Sequence, residues 1–186
     1  MIRVKDIVRA SYDRSAADYD GQFRGLQRPK FEALLGPGAA TVAPLLAGGA
    51  RALDLGCGTG LLAEWLAGAN VPAAGLVGLD LSPGMLARAR GRGVRAVEGD
   101  LDRLPFRDGV FALVLAFTAL RIVPGAGDAR ALAEVARVLG RGGLFVLSVL
   151  RSAWDKELER ELGAAGLAPG ARKDCGQDHG YVCSRR

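Results

Sequence analysis

The sequence predicts an α/β fold built on a doubly wound, mostly parallel sheet. Three observations carry that prediction. From Ala50 onward, short apolar runs alternate with helix-length amphipathic segments, the chain order of a parallel sheet and its crossover helices. The run 110–116 (VFALVLA) is apolar at every position, as for a central strand covered on both faces. The first strand of the series leads into a glycine-rich loop, Gly56-Cys57-Gly58-Thr59-Gly60, from which a helix starts.

The elements follow in order. The first 35 residues read as short helices, ended by the breaker Gly36-Pro37-Gly38. Residues 52–55 form a strand, and 61–67 a helix with Leu61, Leu62, Trp65 and Leu66 at core spacing. A second strand spans 76–79. Ser82 and Pro83 supply the N-cap and first-turn proline of a helix through Ala89. Strands at 94–97, 110–116 and 144–149 follow, with helices at 128–139 and 154–165 and a last short strand at 181–183. A chain of 186 residues, 49% apolar, suffices for one domain. We read 1–186 as that domain, with 1–40 as a helical cover, 50–150 as the binding core and 151–186 as the C-terminal helix and last strands.

Composition excludes several classes. There is no run of about 18 apolar residues, so no membrane span is expected. The first residues mix charges with single apolar side chains and lack a signal-peptide core, so a cytoplasmic protein is expected. Cys57, Cys175 and Cys183 are an odd set without CxxC spacing, and His179 is the only histidine. No disulfide framework and no metal site are therefore expected. The net charge of +5 is compatible with an anionic partner such as RNA, although the basic residues are scattered.

The glycine loop narrows the ligand. A nucleoside triphosphate needs a Gly-Lys pair, which is absent. A dinucleotide loop wants a third glycine where Leu61 stands. A nucleoside carrying an amino acid and no phosphate fits better, because Asp54 and the Gly56 backbone offer acceptors to an ammonium. Asp80, at the end of the next strand, can accept from vicinal ribose hydroxyls. Asp100, after the third strand, can accept from an adenine amine. One loop and two acids on successive strand ends describe one extended adenosyl ligand.

Four stretches, DLGCGTG (54–60), GLDLSPGM (78–85), EGDLDRLPF (98–106) and ARVLGRGG (136–143), stand in the order and spacing of a known family. With them the chain resembles the class I methyltransferases, in particular the ubiquinone/menaquinone-biosynthesis branch with its methyltransferase type 11 domain. The resemblance implies a seven-stranded, Rossmann-like sheet with helices on both faces and an antiparallel C-terminal strand. It implies S-adenosylmethionine as cofactor and S-adenosylhomocysteine as product. Asp54, Gly56 and Gly58 would meet the methionine end, with Cys57 inside the same loop. Asp80 would hold the ribose, and Leu81, Met85, Asp100 and Leu101 would surround the adenine. Tyr12-Asp13 through Tyr19-Asp20 resembles the family's N-terminal segment that folds over the cofactor, which adds Tyr19. Phe117, at the end of the fourth strand, completes the set.

The stretch after that strand, Thr118-Ala119-Leu120-Arg121, lacks the histidine common in the family, and Ala112 stands where an aspartate is frequent. No catalytic residue is named on this basis; Arg121 reads as a solvated helix-end charge and Cys57 as a small filler. Three functions stay open: methyl transfer to a small-molecule acceptor; methyl transfer to RNA or protein, with a small zinc-binding activator subunit as a possible partner; and a non-catalytic adenosyl-binding module. The second draws on the basic charge, the short link after the fifth strand and a distant resemblance to ribosomal-RNA guanine-N7 methyltransferases. The first 35 residues are expected to form most of the cover of an open acceptor site.

Overall fold

The computed structural model describes residues 4–72, 74–122 and 128–186. Two helices lead, α1 (Val4–Ser15) and α2 (Tyr19–Leu35), followed by the short α3 (Ala43–Ala47). The alternating core runs β1 (Ala52–Leu55), α4 (Leu61–Gly68), β2 (Leu76–Asp80), α5 (Pro83–Gly91), β3 (Arg95–Glu98), β4 (Phe111–Phe117), α6 (Ala129–Val138) and β5 (Leu139–Leu150). After α7 (Lys156–Ala164) come β6 (Leu167–Pro169), β7 (Lys173–Cys175) and β8 (Asp178–Arg185).

The strands form one sheet in the order β3-β2-β1-β4-β5-β8-β6, with β7 also on β8. Pairs from β3 through β5 are parallel, and β8 is antiparallel to β5. The sheet has eight strands, not the expected seven, and the register gives the reason. Leu167, Ala168 and Pro169 oppose Arg185, Ser184 and Cys183, whereas Lys173, Asp174 and Cys175 oppose Gly180, His179 and Asp178. Both pieces run in one direction along the same side of β8, and the pairing slips by one residue between them. They are one edge strand broken over residues 170–172, as a bulge breaks a ladder.

The apolar run of β4 divides by the period of two. Val114 and Ala116 pack with Leu132, Val135, Leu158 and Leu162 of α6 and α7. Leu113, Leu115 and Phe117 face Phe31, Leu35, Leu62 and Leu66 of α2 and α4. Helices thus cover both faces. The parallel strands all end on one edge, and β1, β2 and β4 deliver Leu55, Asp80 and Phe117 there. Ser82 caps α5 by accepting from the Met85 N–H at 3.1 Å, with Pro83 in the first turn, as the sequence indicates. The helix expected over 128–139 gives up Leu139 to β5, because Leu139 is already extended and opposes Phe111.

Candidate active site

The site grows from the turn after β1. Gly56 has a φ of 66°, a conformation natural to glycine, and a Cβ there would lie 2.7 Å from the Cβ of Ala119. The Gly56 and Cys57 N–H groups both donate to the Leu79 carbonyl, at 2.8 and 3.0 Å. This ties the loop to the end of β2. Cys57 turns its thiol away from the cleft into a small cluster with Leu86, Ala89 and Val94, and burial pushes the thiol's pKa upward. It is a filler, packed so close to Gly78 that a Cβ there would come within 2.7 Å of its sulfur.

Asp80 accepts from the Gly58 N–H and the Ser82 N–H, each at 2.9 Å and one on each oxygen. Burial raises its pKa, and these backbone donors oppose the rise. The Leu81 N–H adds a third backbone contact, and because a carboxylate offers about four acceptor positions, capacity remains for a further hydroxyl donor. Asp54 is 4% exposed, and burial first, then the charge of Asp80, pushes its carboxyl up to about 8.

A cavity of about 220 Å³ opens over these strand ends. Phe117, Gly56, Gly58, Asp80, Leu81, Met85, Asp100 and Leu101 line it along the successive ends of β4, β1, β2 and β3, and Tyr19 of α2 also lines it. A second recess of about 30 Å³ adjoins it at Tyr19, Gly56, Gly58 and Phe117 and reaches Asp54 and Cys57. The fold thus gathers around two adjoining cavities every residue singled out from the sequence as a candidate for the cofactor.

The paired Tyr-Asp motifs divide their labour. The aspartates dock the first two helices, and the tyrosines face the cavity. Asp13 accepts from the Ser82 hydroxyl at 2.5 Å and from the Gly84 N–H at 2.9 Å, which holds its carboxyl below the ordinary range. Asp20 accepts from the Thr59 hydroxyl at 2.5 Å and pairs with Arg92, which also donates to the Thr59 carbonyl at 2.6 Å. Tyr12 and Tyr19 line the cavity, and burial pushes Tyr19 up to about 12. Lys5 of α1 closes the far end, donating to Asp100 and Asp102 at 2.5 Å each. The sequence offered no signal for Lys5, since its partners lie 95 and 97 positions away.

The end of β4 holds a network that sequence reasoning missed. Lys30 is 4% exposed and sits 3.0 Å from Asp178, which is fully buried. Lys30 donates to the Thr118 hydroxyl at 2.5 Å, and Thr118 and Ser148 donate to Asp178 at 2.9 and 2.7 Å. Thr118 and Arg121 have positive φ values of 55° and 57°. Neither is a glycine, and such backbone strain persists only where surrounding contacts fix it. Thr118 also lines the cavity, so its hydroxyl joins the cleft to the buried pair. Arg121 corrects the expectation of a solvated charge. Its side chain is 10% exposed, between Asp128 at 3.3 Å and Glu161 at 2.8 Å. Among the described residues, no group of three or more His, Cys, Asp or Glu is placed to hold a metal ion. No described helix is long and apolar enough to cross a membrane.

The cleft is elongated and runs along successive strand ends, with Asp80, Met85 and Leu101 on its lining and Asp54 in the adjoining recess. Comparison with known proteins places the chain in a family. Residues 53–147 match a family model described as a methyltransferase domain. The chain is 37% identical over 164 residues to a malonyl-[acyl-carrier protein] O-methyltransferase of Geobacter sulfurreducens, covering 85% of this chain and 58% of that protein. It is 43% identical over 104 residues to a demethylmenaquinone methyltransferase of Thermus thermophilus, covering 52% of this chain and 46% of that one. The chain therefore spans about half the length of these relatives. Among solved structures, a chain of the complex between the Haloferax volcanii Trm112 methyltransferase activator and its methyltransferase superposes with a TM-score of 0.70 at 22% identity, covering 94% of this chain and 97% of that one.

Proposed function

The chain belongs to the methyltransferase-domain family, and on that premise we propose that it transfers the methyl group of S-adenosylmethionine to a small-molecule acceptor. The observation that carries this reading is the continuity of the cavity. It runs from the glycine loop past Asp80 to Asp100, three strand ends in a row, without a phosphate-binding lysine or third dinucleotide glycine. The residues fit the cofactor: Asp80 keeps acceptor capacity beyond its backbone donors, and Asp54 offers a carboxyl to a cation.

When bound, the cofactor supplies a methyl group already activated by a positive sulfur. This chain's residues then orient and enclose. Asp80 fixes the ribose, the loop backbone and Asp54 fix the amino-acid end, and Phe117, Tyr12 and Tyr19 keep water from the sulfur. Thr118 lies where β4 ends and can position an acceptor in line with the departing sulfur, a proximity effect. The wall formed by Val8, Tyr12, Leu120 and Ile122 favours an acceptor with an apolar body.

A second reading, transfer to RNA or protein with a small activator subunit, draws on the net charge of +5 and on the fold shared with the activator-bound chain. Methyl-labelled cofactor incubated with fractionated small-molecule, RNA and protein pools separates the two. Label in the small-molecule pool, insensitive to ribonuclease, supports the first. Label confined to RNA or protein replaces it with the second. Calorimetric binding of NAD without binding of S-adenosylhomocysteine would remove both.

A further inference from the structure

The buried face of α2 carries Gln27, Lys30, Phe31, Leu34 and Leu35, the spacing of a helix packed on a core. Four of these have evident partners. Lys30 has Asp178, and the three apolar residues have β4 and its neighbours. Gln27 does not. It is 8% exposed, and its Oε1 is buried without a hydrogen-bond partner. Buried polar atoms are rarely left so, because a buried acceptor that gives up water without gaining a partner is destabilising. The other end of the amide is engaged, since the Gln27 side chain hydrogen-bonds Tyr19.

Gln27 lines the recess of about 30 Å³ that also holds Asp54, Gly56 and Gly58. A group the size of a water molecule needs roughly 10–15 Å³ on this measure, so an ammonium fits. The recess therefore presents two acceptors, an amide oxygen and a carboxyl, and among the described residues no ion pair reaches Asp54. Burial keeps Asp54 protonated in the empty recess, and an entering cation would ionise it, leaving two acceptors for the cation's N–H groups. Because one of the acceptors can ionise, a cation is favoured over a neutral group.

We propose that Gln27 selects the cofactor by its amino-acid end: Gln27 Oε1 and Asp54 together hold the ammonium, so the site distinguishes adenosyl ligands that carry a free amine from those that lack one. This rests on the adenosyl reading above and adds a residue from outside the glycine loop. It also gives α2 a binding role distinct from packing. Tyr19 belongs to the same device, because it hydrogen-bonds the Gln27 side chain and lines the same recess.

The test compares S-adenosylhomocysteine, which has the amine, with 5′-methylthioadenosine, which shares the nucleoside and thioether but ends in a methyl group. Calorimetry is run on the intact chain, on Gln27→Leu and on Gln27→Glu, each checked for cooperative melting. We expect Gln27→Leu to weaken S-adenosylhomocysteine at least tenfold and to leave 5′-methylthioadenosine within twofold. Gln27→Glu keeps an acceptor and should hold S-adenosylhomocysteine within threefold of the parent. Equal weakening of both ligands by Gln27→Leu means a packing role only and overturns the proposal. So does a Gln27→Glu variant that loses S-adenosylhomocysteine as badly as the leucine variant. If the unmodified chain binds neither nucleoside, the adenosyl reading falls and takes this inference with it. Binding of both by the unmodified chain with no effect of either substitution removes Gln27 alone.

Discussion

At the scale of single residues, the acids of the cleft differ in what surrounds them, and their variants should differ accordingly. Asp80→Ala removes an acceptor for two hydroxyls and also frees the Gly58 and Ser82 N–H groups. A hydrogen bond to a charged group contributes about 1.5–3 kcal/mol. The variant should bind S-adenosylhomocysteine at least tenfold more weakly by calorimetry, and a change below about threefold would show that Asp80 does not hold the ribose. Asp54 makes a prediction through pH. Its carboxyl is raised to about 8 in the folded chain, against about 3.9 when unfolded. Between these values the folded state holds a proton that the unfolded state has released. Asp54 therefore costs stability progressively as pH rises from about 4 to about 8. Denaturant midpoints measured across that range should fall less steeply for Asp54→Asn than for the parent. Parallel curves would mean that Asp54 is ionised in the empty cleft. Lys30 and Asp178 form a pair buried at 4% and 0% exposure. Breaking such a pair from one side typically costs about 3–5 kcal/mol, because the other charge stays buried. Lys30→Met should lose stability on that order in urea unfolding, and adding Asp178→Leu should restore part of it. A double variant as unstable as the sum of the two singles would show no coupling between them.

At the scale of elements, the first two helices have different attachments. The second half of α2 is packed into the core through Phe31, Leu34 and Leu35. By contrast, α1 has no buried residue, and Val4 and Ile7 are 52% and 58% exposed. What holds α1 is polar: Lys5 on Asp100 and Asp102, Arg9 near Glu98, Asp13 on the start of α5. The expected cover over 1–35 thus resolves into a fixed wall and a latched flap. Surface ion pairs weaken as the Debye length falls from about 10 Å at 0.1 M salt to about 3 Å at 1 M. Asp13 adds an acid limit. Its carboxyl is depressed, so its share of the docking is present above the ordinary carboxylate pKa and is lost as pH falls through the lowered value. Amide hydrogen exchange should show residues 4–15 poorly protected without cofactor, less so still in high salt, and slowed on adding S-adenosylhomocysteine. Residues 27–35 should stay protected throughout. Strong, ligand-independent protection of 4–15 would make α1 a permanent wall.

At the scale of the whole molecule, the sequence was most legible where a local rule and the tertiary fold agree. The all-apolar run of β4, the Ser82-Pro83 start of α5 and the glycine turn after β1 are short-range signals, and the structure keeps all three. Every cofactor candidate from the four motifs lies on one of the two adjoining cavities. Less legible were features that exist only by long-range contact. Lys5, Gln27 and Lys30 stand on helices with ordinary surface-like sequence, and nothing local marks them as facing a cleft. The role of Arg121 depends on Asp128 and Glu161, which a linear reading cannot bring to it. Strands of three residues, as in β6 and β7, fall below the length at which alternation can be counted. The connection from β4 to α6, which the sequence places over the same edge of the sheet but leaves too short to seal it, lies partly outside the described residues. The break that divides β6 from β7 also bears on how the molecule behaves among its own copies. A straight outer strand would offer a continuous row of amide and carbonyl groups, a template on which a second chain could extend the sheet. Here that row is interrupted at residues 170–172, and Pro169 contributes no N–H to it. The sheet therefore ends on this side in a border that resists growth, and the interruption acts as a stop to polymerisation built into the last strands of the fold.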